Sequence, residues 1–490
     1  MELLKKYQKA IRISFLILAS LIFIWILFLP FPLGVADQGD FDRIMGSSGL
    51  SLLDSDSKNP DFIRFLKFIV TDYKISPLKN LFTAFNTSTC ILIVFISSLC
   101  RILGLFVFKT QYLAIAYFLI YLFSIHIILK TMEIKSILKN IFISCLALFI
   151  FFDGNYLIWF NSLYGEPMMI STLLLFISSV LYYSYYKYSL KKTEKIFSKI
   201  IYMFIATLFF ICSKLQVSLY FPFFLIFMSK IVWDNRKILS KLNLFICTIL
   251  LLLIIVYPVV LNSYSSNLSK DTQYNSVFYG VLNGSETPRE DLIDLGLNPD
   301  MAVEAGKHAY LSPSEYVKYI PRTEITEKEF YSKISNGKLA KFYLFHPFRL
   351  IKGMEYTSSK SFFTSTSLGK SYYSYSEEPI IKFNRFTTWS YIREHFFPKH
   401  LWFIISVYLI VFIYSIRHYI KNRYNPKVLT NTFMLWLLII ISGLQFPMPF
   451  IGNGQADTAK QLFLFNFIFD IFIFLIISKV VFKVIDYCRD

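Results

Sequence analysis

Apolar residues in this chain run in long blocks, and polar segments rich in Lys, Asn and Ser separate them. The first block follows "MELLKKYQKAIR" and reads "ISFLILASLIFIWILFLPFPL". It approaches the ~20 residues that a helix needs to cross a bilayer. It is too long for a signal-peptide core and has no small-residue cleavage site, so it reads as a retained anchor. Further blocks predict spans near 111–129, 140–157, 168–186, 198–213, 215–232, 243–262, 401–416, 430–447 and 461–478, ten crossings in all when 13–33 is included. The predicted fold class is an all-α polytopic membrane protein with outer juxtamembrane helices. Residues 1–262 form an N-terminal transmembrane module with a first outer loop at 34–87. Residues 263–400 form a mainly helical extracytoplasmic insertion, and residues 401–490 carry the C-terminal transmembrane helices.

Charge fixes the orientation. With the N-terminus inside, the inner segments hold 23 Lys and Arg against six Asp and Glu, nearly the whole formal net charge of +18. That is the positive-inside pattern, and it removes the reason to read the basic balance as a nucleic-acid footprint. The apolar stretch 87–109 would invert every later loop if it crossed once. It is therefore read as an interfacial segment with Arg101 reaching the headgroups, or as a tight re-entrant pair that keeps the same parity. The composition agrees: 55% of residues are hydrophobic, 19% aromatic and 17% charged. The six cysteines lie in or beside apolar spans or at the end of the chain. They have no metal-type spacing, so neither a disulfide framework nor a zinc site follows.

The unusual polar motifs all fall on the expected outer face. "DQGDFDRIM" puts Asp37, Asp40, Asp42 and Arg43 directly after the first span. A carboxylate at a headgroup boundary is desolvated on one side, which raises its pKa and makes it a better base. A pair of such acids also leaves room for a divalent metal, and Gly39 lets the backbone turn between Asp37 and Asp40. The plainer reading is a solvated loop start. In "DGNYLIWFNSLYGEPMM", Asp153 falls at an apolar region where an unpaired carboxylate is costly. Glu166 stands before Pro167, in the first turn of the next helix. Tyr156, Trp159, Phe160 and Tyr164 suit a sugar-stacking platform or the ordinary aromatic belt of a membrane interface. "CSKLQVS" sets Lys214 and Gln216 at an outer turn, where Lys214 grips a lipid phosphate or snorkels to headgroups. "GNGQADTAKQLFLFNFIFD" carries Asp457 and Lys460, then Asn466 and Asp470 on one face of an apolar helix, which need a partner or a cavity. In "HPFRL", His346 and Arg349 fit a helix lying on the membrane beside a phosphate. Walker, GxGxxG, HExxH and GxSxG motifs do not occur, so nucleotide, dinucleotide, zinc-hydrolase and serine-hydrolase chemistry lose support.

Taken together, an inside N-terminus, one span, an acidic first outer loop, a second outer acid at Glu166 and a Lys in "SKLQ" resemble the GT-C-fold glycosyltransferases. More narrowly, "DQGDF", "FNSLYGEP" and "GNGQADTAKQLFLFN" resemble bacterial cell-surface glycan hexose transferases of the WsfD type. The resemblance implies hexose transfer from a polyprenyl-phosphate-linked donor to a glycan or lipid-linked acceptor, at the outer face of a bacterial cell membrane. It implies membrane lipids as surroundings, no nucleic-acid partner and no required cofactor. Asp40 or Asp37, with Glu166, would be catalytic. Arg43, Lys214, Arg349 and Lys460 would hold the donor phosphate, and Asp153, Tyr164, Gln216 and Asp457 would contact acceptor or sugar. The acids here are spaced Asp-Gln-Gly-Asp rather than adjacent, so the resemblance leaves the choice of base between Asp37 and Asp40 open. A surface-polysaccharide polymerase or a flippase shares the multi-span layout with outward motifs.

The expected orientation is open to direct test. In a background without native cysteines, a cysteine at Ser285 is expected to react with an impermeant maleimide on intact cells. One at Lys192 is expected to react only after permeabilisation, and the reverse pattern would end this topology.

Overall fold

The computed structural model describes residues 2–59, 63–77, 86–265 and 270–488. Parts of the first outer loop (60–62 and 78–85), the start of the insertion (266–269) and the charges of Arg489 and Asp490 lie outside the described residues.

The chain is a mainly helical polytopic membrane protein. Among the described residues, six helices are long and apolar enough to cross a bilayer: Lys6–Phe28, Thr110–Thr131, Glu166–Ser189, Lys241–Asn262, Leu401–Lys421 and Pro426–Asn453. A seventh arises if Ile137–Phe151 and Gly154–Phe160, bent by 51° to each other, count as one span. Ten were expected. The difference lies partly in Ile196–Ile211 and Phe221–Asn235, of 16 and 15 residues, which rise about 24 Å or less at 1.5 Å per residue. That is short of a hydrocarbon core of about 30 Å. The last helix, Phe463–Tyr487, is 25 residues long, and its first half is buried. Ser88–Ile102 is a single 15-residue helix, and Arg101 donates from Nη2 to the Ser76 carbonyl at 2.7 Å.

A small antiparallel sheet departs from the all-helical expectation. Its strands, Leu50–Leu52, Asp72–Ile75 and Val107–Lys109, pair in that order. Each has three or four residues, too few for alternation to stand out in sequence.

Two cores form. The main one joins the membrane helices to residues 362–397, with Phe362 packed on Phe397, Phe403 and Phe469. A second, built around Tyr274, Phe278, Leu292, Phe330 and Tyr343, fills the insertion and takes in Phe450. The stretch 263–400 is thus shared: residues 274–343, with Leu350 and Tyr356 packed against them, make their own core, and Phe362, Leu368, Trp389 and Phe397 join the main one. The two meet at Gly454, whose φ of +58° suits glycine and where a Cβ would lie 2.4 Å from the Asn275 carbonyl oxygen.

One buried network fastens the last helix to the end of the insertion. Arg393 and Asp470 have no exposed surface. The guanidinium Nη1 donates to Asp470 and to the Tyr156 hydroxyl, and that hydroxyl donates to Asp470 Oδ2 at 2.7 Å. Nε reaches the Phe362 carbonyl at 3.0 Å and Nη2 reaches Thr364 Oγ1 at 2.5 Å. Asn466, one turn before Asp470, accepts from the Phe362 N–H at 2.9 Å and donates to the Phe363 carbonyl at 2.9 Å. The polar stripe on the final helix therefore faces a partner, the strap 362–366.

Breaking one side of a buried ion pair leaves an uncompensated charge, which costs about 3–5 kcal/mol. Asp470→Asn is therefore expected to lower unfolding stability by about that much in detergent. Adding Arg393→Met to Asp470→Leu should recover part of the loss. A single variant as stable as wild type would remove the network from its structural role.

Candidate functional site

The site begins where the first span ends. Past Phe28 the chain runs extended and hydrogen-bonds to three other segments, one of them through Asn161, whose amide donates to the Leu33 carbonyl at 2.8 Å. Gly34 N–H donates to the Lys370 carbonyl at 3.1 Å, Ala36 N–H to that of Gly369 at 2.9 Å, and Leu66 N–H to that of Asp37 at 2.8 Å. This anchoring presents the acidic loop at a fixed place.

The three acids then take three different parts. Asp37 is fully buried, and its Oδ1 accepts the N–H groups of Gly39, Asp40 and Phe41 at 2.7, 3.0 and 3.2 Å. It holds the turn that opens the helix Phe41–Ser48, a turn that needs Gly39 at φ +106°. Its other oxygen faces Arg64 Nε at 3.4 Å, and Arg64 grips Asp42 through both terminal nitrogens at 2.9 and 3.1 Å. Asp37 pairs with Arg64 and not with Arg43. Asp40 alone turns toward the rest of the molecule. Its Oδ2 meets Lys460 Nζ at 2.5 Å, its Oδ1 lies 3.6 Å from Arg43, and its side chain is 34% exposed.

Lys460 comes from the short helix Thr458–Gln461, which starts at Asp457 in the left-handed conformation. Its ammonium stands 4.5 Å from the ring centre of Tyr164, whose hydroxyl donates to the Ala36 carbonyl at 2.9 Å. Beside it, Glu166 is fully buried, with Oε1 2.6 Å from Lys214 Nζ and Oε2 without a hydrogen-bond partner. Two acid–lysine pairs thus lie close together, one joining residues 420 apart in the chain and the other residues 48 apart. Burial pushes the Asp40 carboxyl up, but Lys460, Lys214 and Arg43 more than offset it and hold its pKa well below the usual carboxylate range. Burial pushes Lys460 down, and Asp40 and Glu166 reverse that, so its ammonium is held above the ordinary lysine value. Burial together with Asp40, Asp37 and Glu166 keeps the Tyr164 phenol protonated, far above its ordinary range.

A cavity of about 380 Å³ opens next to this cluster. Its lining includes Gln38, Trp159, Asp457, Lys460, Tyr356, Lys360 and residues 363–367. Gln38 and Asp457 close its rim by a 2.9 Å hydrogen bond. Gln216 lies behind, with Nε2 3.3 Å from Gln445 Oε1, itself bonded to Tyr220.

The structure thus brings together Asp37, Asp40, Arg43, Tyr164, Glu166, Lys214, Lys460 and Asp457, with Gln216 one layer back. It places others apart. Asp153 caps the helix Gly154–Leu157, accepting from Asn155 N–H and, across the fold, from Ser390 N–H, both at 2.9 Å. Arg349 is held by Asp291 at 2.9 Å in the insertion core, and His346 pairs with Asp294 at 3.1 Å. Sequence reasoning passed over Arg64, Gln38, Lys360 and the wall 363–367. A cue was present in the hydroxyl-dense run "TSSKSFFTSTSLGKSYYS". Among the described residues, no three His, Cys, Asp or Glu side chains are grouped to hold a metal ion.

The Asp40–Lys460 pair has a pH signature. A carboxyl whose folded pKa is depressed contributes stability that is full above its unfolded value, near 3.8, and is lost as pH falls through the folded one. The melting temperature of Lys460→Met should therefore trail wild type at neutral pH, and the gap should narrow below about pH 4. A gap that widens with acidity would contradict the assignment.

A family model described as the YfdI N-terminal transmembrane domain matches residues 1–490. No curated protein and no solved structure matches the chain.

Proposed function

From the chain's membership of the YfdI N-terminal transmembrane domain family, and from the geometry at Asp40, we propose that it is a GT-C-like membrane glycosyltransferase. On this reading it moves a hexose from a polyprenyl-phosphate donor to a cell-surface glycan or lipid-linked acceptor at the outer face of a bacterial cell membrane. The observation that carries the reading is the ion pair Asp40–Lys460, whose lysine lines a cavity of small-ligand size, with the buried pair Glu166–Lys214 close by.

The reaction needs a base for the acceptor hydroxyl and positive charge for the leaving phosphate. The acceptor oxygen attacks the anomeric carbon from the side opposite the phosphate. The C–O bond to the phosphate breaks with inversion, and the hydroxyl proton passes to Asp40. Lys460, Lys214 and Arg43 stabilise the departing polyprenyl phosphate electrostatically. While salt-bridged, Asp40 is a weak base. A donor phosphate that draws the Lys460 ammonium toward itself relieves that restraint, so donor arrival and base activation are coupled. Glu166, with one oxygen unpartnered, keeps Lys214 at the site. Asp37 supports the turn from beneath rather than touching substrate. The likeness of "FNSLYGEP" and "GNGQADTAKQLFLFN" to the WsfD-type hexose transferases supports a hexose donor. A polymerase or flippase would share the architecture, but a flippase does not break the sugar–phosphate bond.

Purified protein given a polyprenyl-phosphate hexose and acceptor is expected to release free polyprenyl phosphate. Asp40→Asn should cut kcat by at least ~10²-fold with donor binding retained, the lower end of what a general base contributes. Retention of more than about a tenth of wild-type turnover would rule Asp40 out as the base. Asp37→Ala is expected to act mainly on folded yield.

A further inference from the structure

The strap 362–367 is held more firmly than a loop requires, and every restraint comes from behind it. Glu394 Oε1 accepts the N–H groups of Thr364 and Ser365 at 2.9 and 3.0 Å, and its Oε2 accepts the Ser365 hydroxyl at 2.7 Å. Arg393 and Asn466 fix residues 362–364. Lys370, 1% exposed, gives its three ammonium hydrogens to the carbonyls of Thr366, Leu368 and Ile381 at 2.8, 2.6 and 2.8 Å. Three charged side chains buried to at least nine-tenths, Arg393, Glu394 and Lys370, therefore serve one wall of one cavity. Preorganisation of this kind lowers the cost of ordering a binding surface.

Another lining residue supplies a second, independent observation. Trp159 lines the cavity, is 3% exposed, and its indole N–H is buried with no hydrogen-bond partner. Tyr164 and Phe463 pack edge-on against its ring at 5.0 and 5.4 Å and keep it in place. A buried donor without a protein partner leaves its acceptor to be supplied by water or by a ligand. The Thr364 and Ser365 hydroxyls are engaged by Arg393 and Glu394, so the cavity lining offers those of Thr366 and Ser367 beside the Trp159 and Phe463 rings, with Lys460 and Lys360 as cations and Asp457 as an anion. The carboxylate of Glu394 is consumed behind the strap. Hydroxyl groups that both donate and accept, beside apolar ring faces, recognise a neutral pyranose.

We propose that residues 363–367 and Trp159 form the subsite for the hexopyranose ring of the lipid-linked donor. This rests on the glycosyl-transfer reading and assigns its sugar contacts. Trp159 donates to a ring hydroxyl, Ser367 and Thr366 bond others, and the phosphate at the anomeric carbon lies toward Lys460. The Arg393–Asp470 pair acts as a positioning element for this wall.

The test reads binding rather than turnover. The full chain in nanodiscs is titrated with undecaprenyl phosphate, and with the same lipid carrying glucose, galactose or mannose. At least one hexosylated lipid is expected to bind about tenfold more tightly than the bare lipid, the worth of one or two hydrogen bonds. Trp159→Phe and Ser367→Ala should each erase most of that preference and leave affinity for bare undecaprenyl phosphate unchanged. Ser367 is exposed, so its variant tests the wall without disturbing a core. The proposal is overturned if no hexosylated lipid is preferred, if the variants keep the preference, or if they weaken both lipids alike. Because no turnover is needed, the subsite can fail while Asp40-dependent transfer stands, and the reverse outcome is equally visible.

Discussion

A guanidinium with no exposed surface governs how three regions of this chain meet. Buried, Arg393 needs a negative partner and acceptors for its remaining hydrogens, because an unpaired charge in an apolar interior is far costlier than a paired one. Asp470 supplies the charge; Tyr156, Thr364 and the Phe362 carbonyl supply the rest. Those groups come from the last helix, the bent segment after Ile137–Phe151, and the end of the insertion. Satisfying one side chain therefore fixes the relative placement of three regions, and the cavity lies among them. Asn466 repeats the device one turn away, fixing the same strap from the same helix face.

The sequence shows this constraint only from one side. Asn466 and Asp470 stand out as polar residues at i, i+4 in an apolar helix, and their need for a partner is legible. Arg393 is not, since it sits 77 residues earlier in a segment that reads as an ordinary amphipathic loop helix. The acidic first loop behaves alike. Gly39 as a turn residue is legible from spacing alone. The division of labour among Asp37, Asp40 and Asp42 is not, because it depends on Arg64 and on Lys460, the latter 420 positions away. Arg349 was expected with the phosphate cluster because a basic residue beside aromatics fits a headgroup. Asp291, in a short helix of the same insertion, takes it instead. The membrane class follows from hydropathy, whereas the span count does not: apolar runs of 15 or 16 residues look like crossings until helix rise sets their length.

Around Asp40 the charges alternate: Arg43, Asp40, Lys460, with Glu166 and Lys214 alongside. Alternation is a low-energy way to hold several charges in a half-buried site, since each ion finds an opposite neighbour and the group stays near neutrality. Such a site cannot respond to substrate unless the substrate is itself charged. A neutral sugar alone would leave both ion pairs intact, and Asp40 would stay a poor base. A sugar phosphate changes the balance, because a phosphate oxygen competes with Asp40 for the same ammonium and brings more negative charge than one carboxylate. On the proposed reading, the ligand that carries the hexose would also weaken the restraint on Asp40. The cavity wall follows the opposite rule. The stretch Thr364–Ser367 carries neutral hydroxyls on a backbone fixed by buried ions, so in the proposed subsite it would read hydrogen-bond pattern with little effect on the charges next door. Under that proposal, a charged group and a hydroxyl-lined stretch would divide the work, the phosphate shifting the charges while the ring is held for attack.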